Sequence, residues 1–137
     1  MRTRAEFPTG HARGAAMVEM AIVVTVFLMI ILGIVEFGNY LMVNQAVVSA
    51  ARDGARRAAV LPTLAANDGR VAAVALERLR PVGSCQGSTV TNNKPSKVGD
   101  SVSVEVSCQY QWLTKVTWFQ MLQNFRIDEK ATMYWEG

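Results

Sequence analysis

From Met20 to Val35 the chain runs sixteen residues without a charge. A stretch this apolar has to be buried, either in a protein core or in lipid, so it limits the folds open to the chain more than any other feature. Extended back to Ala15, it becomes twenty-one residues with a single charge, Glu19. At about 1.5 Å per residue such a helix spans roughly 31 Å, about the thickness of a bilayer's hydrocarbon core. The whole chain has 137 residues, which points to one domain. With that helix in lipid, only about 100 residues are left to build a soluble core, and domains of that size often carry a covalent staple.

The charge is placed asymmetrically. Residues 1–14 hold Arg2, Arg4 and Arg13 against Glu6, a net +2, out of +3 for the chain. The rest is close to neutral and shows no basic stripe, so a nucleic-acid partner is not expected. A basic leader before an apolar segment predicts a cytoplasmic N-terminus and an exported C-terminal part. The leader contains Pro8, Gly10 and Gly14 and reads as extended, with a helix starting near Ala15.

Helical signals continue past the apolar run through "EFGNYLMVNQAVVSAARDGARRAAV", up to a stop at Pro62. The second half is amphipathic and has to leave the membrane. Leu41, Val48 and Ala55 are one heptad apart, and Ala51, Ala55 and Ala58 share a face. Gly33, Gly38 and Gly54 are weak points in this helix. Asn67 or Asp68 caps a second helix over 68–80, with Val71, Val74, Ala75, Leu76 and Leu79 on one side, ended by Pro81 and Gly83. "STVT" (Ser88–Thr91) is a candidate strand, and "NNKPSKVGD" reads as a turn. From Ser101 to Trp112, polar residues alternate with Val102, Val104, Val106, Cys108, Tyr110 and Trp112, the pattern of a strand with one buried face. Residues 114–124 make a short connection that suits a helical turn. Arg126 to Trp135 reads as a third strand, with Ile127, Ala131, Met133 and Trp135 on one side. The expected fold is therefore α+β: a long N-terminal helix whose amphipathic half covers a small antiparallel sheet of about three strands.

Cys85 and Cys108 both lie on the side expected to be exported. An oxidising compartment favours a disulfide between them, worth ~3 kcal/mol by chain entropy for a loop of about 24 residues. Two free buried thiols are the alternative. Neither a metal site nor a bound cofactor is expected: two cysteines do not make a ligand set, and the one histidine, His11, is in the leader. No phosphate loop or catalytic triad is present, and nothing pairs the scattered carboxylates for general acid–base work, so an enzyme is not expected.

The entrance "HARGAAMVEMAIVV" leaves three readings open. It can be a secretory signal peptide, although its apolar stretch exceeds an ordinary h-region. It can be a plain single-pass anchor, in which Glu19 is a burden of a few kcal/mol. It can also be a prepilin leader, and here the chain resembles the type IV pilin-like family. That family is cut on the cytoplasmic side after a glycine and carries a glutamate at the fifth mature position. The resemblance implies a cut between Gly14 and Ala15, with Glu19 fifth. The Glu19 carboxylate would then pair with the new α-amino group of a neighbouring subunit.

Within that family the stretch Gly14 to Val60 resembles the TadE-like branch, pseudopilins of tight-adherence (Flp-type) pilus systems. The likeness is carried by Gly14-Ala15, Val18-Glu19, Gly33-Ile34-Val35-Glu36-Phe37-Gly38 and Ala50-Ala51-Arg52-Asp53-Gly54-Ala55-Arg56. Met20 stands where the branch often has an aromatic residue, and Ala15 where major type IV pilins have phenylalanine.

The resemblance implies a cleaved leader 1–14, a transmembrane half-helix 15–36 and an exported pilin-like domain 37–137, anchored in the bacterial cytoplasmic (inner) membrane. It implies a minor pilin or pseudopilin whose partners are the prepilin peptidase, other pilin subunits and inner-membrane lipid. An uncleaved membrane-anchored binding module and a secretion-system pseudopilin are the alternatives. Glu36 either marks the exit from lipid, with its charge among the headgroups, or meets a partner helix. Arg52 and Arg56 form a solvated face or, together with Gly54, a packing or partner surface. Asp53 is placed to pair with Arg57 one turn on.

Overall fold

The computed structural model describes residues 11–113 and 125–136. The connection 114–124, including Trp118 and Phe119, lies outside the described residues, as does the leader up to residue 10. The elements are α1 (His11–Ala59), α2 (Gly69–Leu79), β1 (Cys85–Asn92), β2 (Ser101–Tyr110) and β3 (Arg126–Tyr134). The architecture is α+β, with an antiparallel meander in the order β1-β2-β3.

The chain divides into two compact units at Val35/Glu36. In the first, every described residue from Gly14 to Val35 is exposed except the half-buried Gly33. Its helix begins at His11, ahead of the expected start near Ala15. No proline lies between Pro8 and Pro62, and an established helix extends backward at little cost even through Gly14, which loses ~1 kcal/mol relative to alanine. The helix also runs through Gly33, Gly38 and Gly54 without a break.

In the second unit, β2 is the central strand. Val102, Val104, Val106, Cys108 and Tyr110 point inward and are buried, each at most 3% exposed. They form one cluster with Val43, Val47, Ala50, Ala51, Ala55 and Ala58 of α1 and Val71, Ala75 and Leu79 of α2. The expected cover for the sheet is thus in place, with α2 added to it. The heptad line differs from expectation: Ala55 is buried, but Leu41 is exposed and Val48 only half-buried. A straight helix drifts by about 20° per heptad, so a strict seven-residue line leaves the buried face.

Asp68, not Asn67, caps α2: its side chain accepts from the Arg70 N–H at 2.9 Å. Asn67 takes a positive φ of 55° just before it, a conformation that asparagine tolerates. Asn92 locks this corner to the end of β1, accepting from the Asp68 N–H at 2.7 Å and donating to the Ala65 carbonyl at 2.8 Å.

β1 starts at Cys85 rather than Ser88. Its register shifts between Gln86 and Thr89, around Gly87 at φ 58°. This bulge breaks the alternation that marks a strand in sequence. At the other end of the unit, β3 runs into Trp135, whose indole N–H donates to the Leu61 carbonyl at 2.8 Å. The Glu136 N–H donates to the Ala59 carbonyl at 2.9 Å, which occupies acceptors left open where α1 stops.

Candidate functional site

Gly14, Ala15 and Glu19 lie on the exposed N-terminal part of α1. A Cβ added at Gly14 meets nothing within 4 Å. The described ion pairs all lie elsewhere in the chain, at Asp68–Arg70, Asp53–Arg78 and Asp128–Arg126. Glu19 therefore has no ion-pair partner among the described residues. Among its described residues, the first unit offers one carboxylate, exposed at the start of a lipid-length helix. α1 is long and apolar enough to cross a membrane, with a mean hydropathy of 2.8 over its most apolar window and none of that window buried.

Glu36 does not carry the exposed charge expected at the exit from lipid. It is 2% exposed inside the second unit and not at its surface. Its carboxylate accepts from the Tyr110 hydroxyl at 2.8 Å and from the Leu113 N–H at 3.0 Å. The Tyr110 hydroxyl in turn accepts from the Asn39 amide at 2.8 Å, and the same amide group donates to Ser84 Oγ at 3.0 Å. Burial, reinforced by the hydrogen bond to Glu36, pushes the Tyr110 phenol from its ordinary 10.0 up to about 12. This network joins the first turn of α1 in the second unit to the loop before β1 and to the end of β2.

One sequence signal pointed to it. Glu36, Val43 and Ala50 are heptad-spaced, which extends the buried stripe of α1 back to the glutamate. An aromatic cluster surrounds the network: Tyr110 meets Tyr40 and Trp112 edge-on at 5.6 and 5.3 Å, and Tyr40 meets Phe125 at 6.0 Å.

Gly54 faces the sheet. A Cβ placed there would lie 3.1 Å from a Val104 methyl, 3.5 Å from Ala75 Cβ and 3.6 Å from a Val71 methyl. The glycine lets α1 approach β2 and α2 at one point. Arg52 and Arg56 are exposed on the same helix. Asp53 pairs with Arg78 of α2 at 2.6 Å, and not with Arg57. The contact ties α1 to α2, with Asp53 half-buried and Arg78 exposed.

Cys85 and Cys108 are joined in a disulfide, with Cα atoms 5.6 Å apart. In the sheet register Cys85 faces Tyr110, which puts Cys108 diagonally across on the same inward face. Among the described residues, no group of three His, Cys, Asp or Glu is placed to hold a metal ion.

The segment that carries the exposed carboxylate, the buried Glu36 and the close-packed glycine is the one that finds a counterpart among known families. Residues 14–56 match the TadE-like protein family. The TadE-like segment begins at Gly14, includes Glu19 and Glu36, and closes on Arg56, so it takes in the helix-borne residues that the sequence singled out. The disulfide and the sheet lie beyond it. No curated protein and no solved structure matches the chain.

Proposed function

We propose that the protein is a minor pilin or pseudopilin of a tight-adherence (Flp-type) pilus system. The observation that carries this reading is the TadE-like match beginning at Gly14. The chain inserts by α1 with its N-terminus cytoplasmic and its second unit exported. A prepilin peptidase then cuts between Gly14 and Ala15, releasing residues 1–14. The glycine suits that cut, because it is the residue of α1's first turns that holds helical geometry least firmly.

Cleavage makes Glu19 the fifth residue and leaves an α-amino group at Ala15. In the apolar interior of a filament, the carboxylate of one subunit and the amino group of the next attract far more strongly than in water. Each also relieves the other's desolvation. The exposure of Glu19, without an ion-pair partner among the described residues, suits an intermolecular role. The partners are the peptidase, other pilin subunits and inner-membrane lipid, and the role is structural.

Intact mass of the protein from its native membrane tests this, read beside Gly14→Ala and Glu19→Ala variants. A native N-terminus at Ala15, lost in Gly14→Ala, is expected, with Glu19→Ala cut but not assembled. A native chain still starting at Met1 sinks the proposal and leaves an uncleaved anchor that presents its sheet domain to an envelope partner.

A further inference from the structure

The second unit exposes large apolar side chains at the end where its chain emerges from the apolar run. Phe37 is 63% exposed, Leu41 41%, Leu113 59% and Phe125 47%. Phe37 and Leu41 are one turn apart on α1. Leu113 is tied to Glu36 by its backbone N–H, and Phe125 accepts the Tyr110 N–H at 2.9 Å while its ring meets Tyr40. All four therefore gather around the same buried carboxylate.

The chain is uncharged from Phe37 to Ala51 and again from Val106 to Leu113. Among the described residues, polar groups at this end include the amides Asn39, Gln86 and Gln111, with Arg126 turned toward Asp128 and Ser107. Phenylalanine and leucine side chains are what an interfacial protein surface presents to the headgroup–acyl boundary of a bilayer. Glu36 is enclosed and hydrogen-bonded, so its carboxylate is not part of this exposed surface.

We infer that Phe37, Leu41, Leu113 and Phe125 form a membrane-resting surface, which seats the second unit on the bilayer that α1 crosses. Lipid is the occupant because of continuity: Val35, last residue of the apolar run, directly precedes Glu36, so this surface lies within a few residues of the point where the chain leaves lipid. The inference rests on the reading of the apolar run as membrane-embedded.

The test uses the full chain in phosphatidylcholine–phosphatidylglycerol liposomes, with a benzophenone amino acid placed at 113, 125, 27 or 132, one position at a time. All four native residues are exposed, so the probe enters without repacking a core. Phe27 lies in the apolar run, and Thr132 on the outer face of β3. The expected result is lipid adducts at 113 and 125 at least about tenfold above 132, with those at 27 strongest, since interfacial side chains sit at headgroup level and position 27 lies among the acyl chains. Adducts at 27 alone overturn the surface and leave the membrane reading intact. Their absence at 27 overturns both. Chain-to-chain adducts at 113 and 125 in place of lipid ones overturn the inference and reassign the surface to a second copy.

Discussion

Removing the Glu36 carboxylate and the Tyr110 hydroxyl, separately and together, measures what ties α1 to the end of β2. The carboxylate accepts from Tyr110 at 2.8 Å and from the Leu113 backbone at 3.0 Å inside a site where Glu36 is 2% exposed. A hydrogen bond to a charged group contributes about 1.5–3 kcal/mol. Tyr110→Phe loses one such bond, while Asn39 keeps Ser84 as an acceptor, so its expected cost lies in that range. Glu36→Ala loses both bonds and leaves a buried hydroxyl and an N–H to be satisfied. The desolvation of the carboxylate is relieved at the same time, so the net cost is about 2–4 kcal/mol. The double variant should cost less than the sum, with a coupling of about 1.5–3 kcal/mol. Thermal unfolding of the full chain in a mild detergent, followed by near-ultraviolet circular dichroism of the aromatic cluster, reads these as melting shifts of roughly 4–8 °C per kcal/mol. Glu105→Ala, on the exposed face of β2, serves as a control expected within about 0.5 kcal/mol of wild type. Additivity of Glu36→Ala and Tyr110→Phe to within about 0.5 kcal/mol would refute the network as a unit.

Three further outcomes are expected. Gly54→Ala should change stability by less than about 1 kcal/mol, because the gain in helix propensity offsets a 3.1 Å contact with Val104, while Gly54→Leu should cost about 3 kcal/mol and loosen the second unit; urea unfolding of the two variants compares them, and a neutral Gly54→Leu removes the close-approach argument. Opening the Cys85–Cys108 bridge, which spans 23 residues of sequence, should lower stability by ~3 kcal/mol, with melting of a Cys85→Ser/Cys108→Ser pair as the check and an unchanged transition as the contrary result. Tyr110 holds its proton more tightly folded than unfolded, so its contribution is complete below pH 10 and is lost as pH rises through about 12; ultraviolet titration of tyrosinate should lose its latest step in Tyr110→Phe, and a titration curve with that step unchanged contradicts the burial argument.

The long helix, the alternation of β2 and the inward Cys108 were legible in the sequence because each is a local pattern: an apolar run, a period of two, a position within that period. The likeness of Gly14–Arg56 to TadE-like proteins was legible for the same reason, since its motifs are contiguous along one helix. The start of β1 at Cys85 was not, because the bulge at Gly87 interrupts the alternation. For Glu36 only its helix face was legible, from its heptad spacing with Val43 and Ala50, and the partners of Glu36 and Asp53 were not. From sequence, Glu36 ends an apolar run and Asp53 faces Arg57. Only tertiary structure brings Tyr110 and Leu113, more than seventy residues away, to the first, and Arg78 to the second. A helix by itself determines which residues share its face. What that face meets depends on how strands distant in sequence close over it, and in this chain β2 decides that a carboxylate at the edge of the apolar run is enclosed instead of left in water.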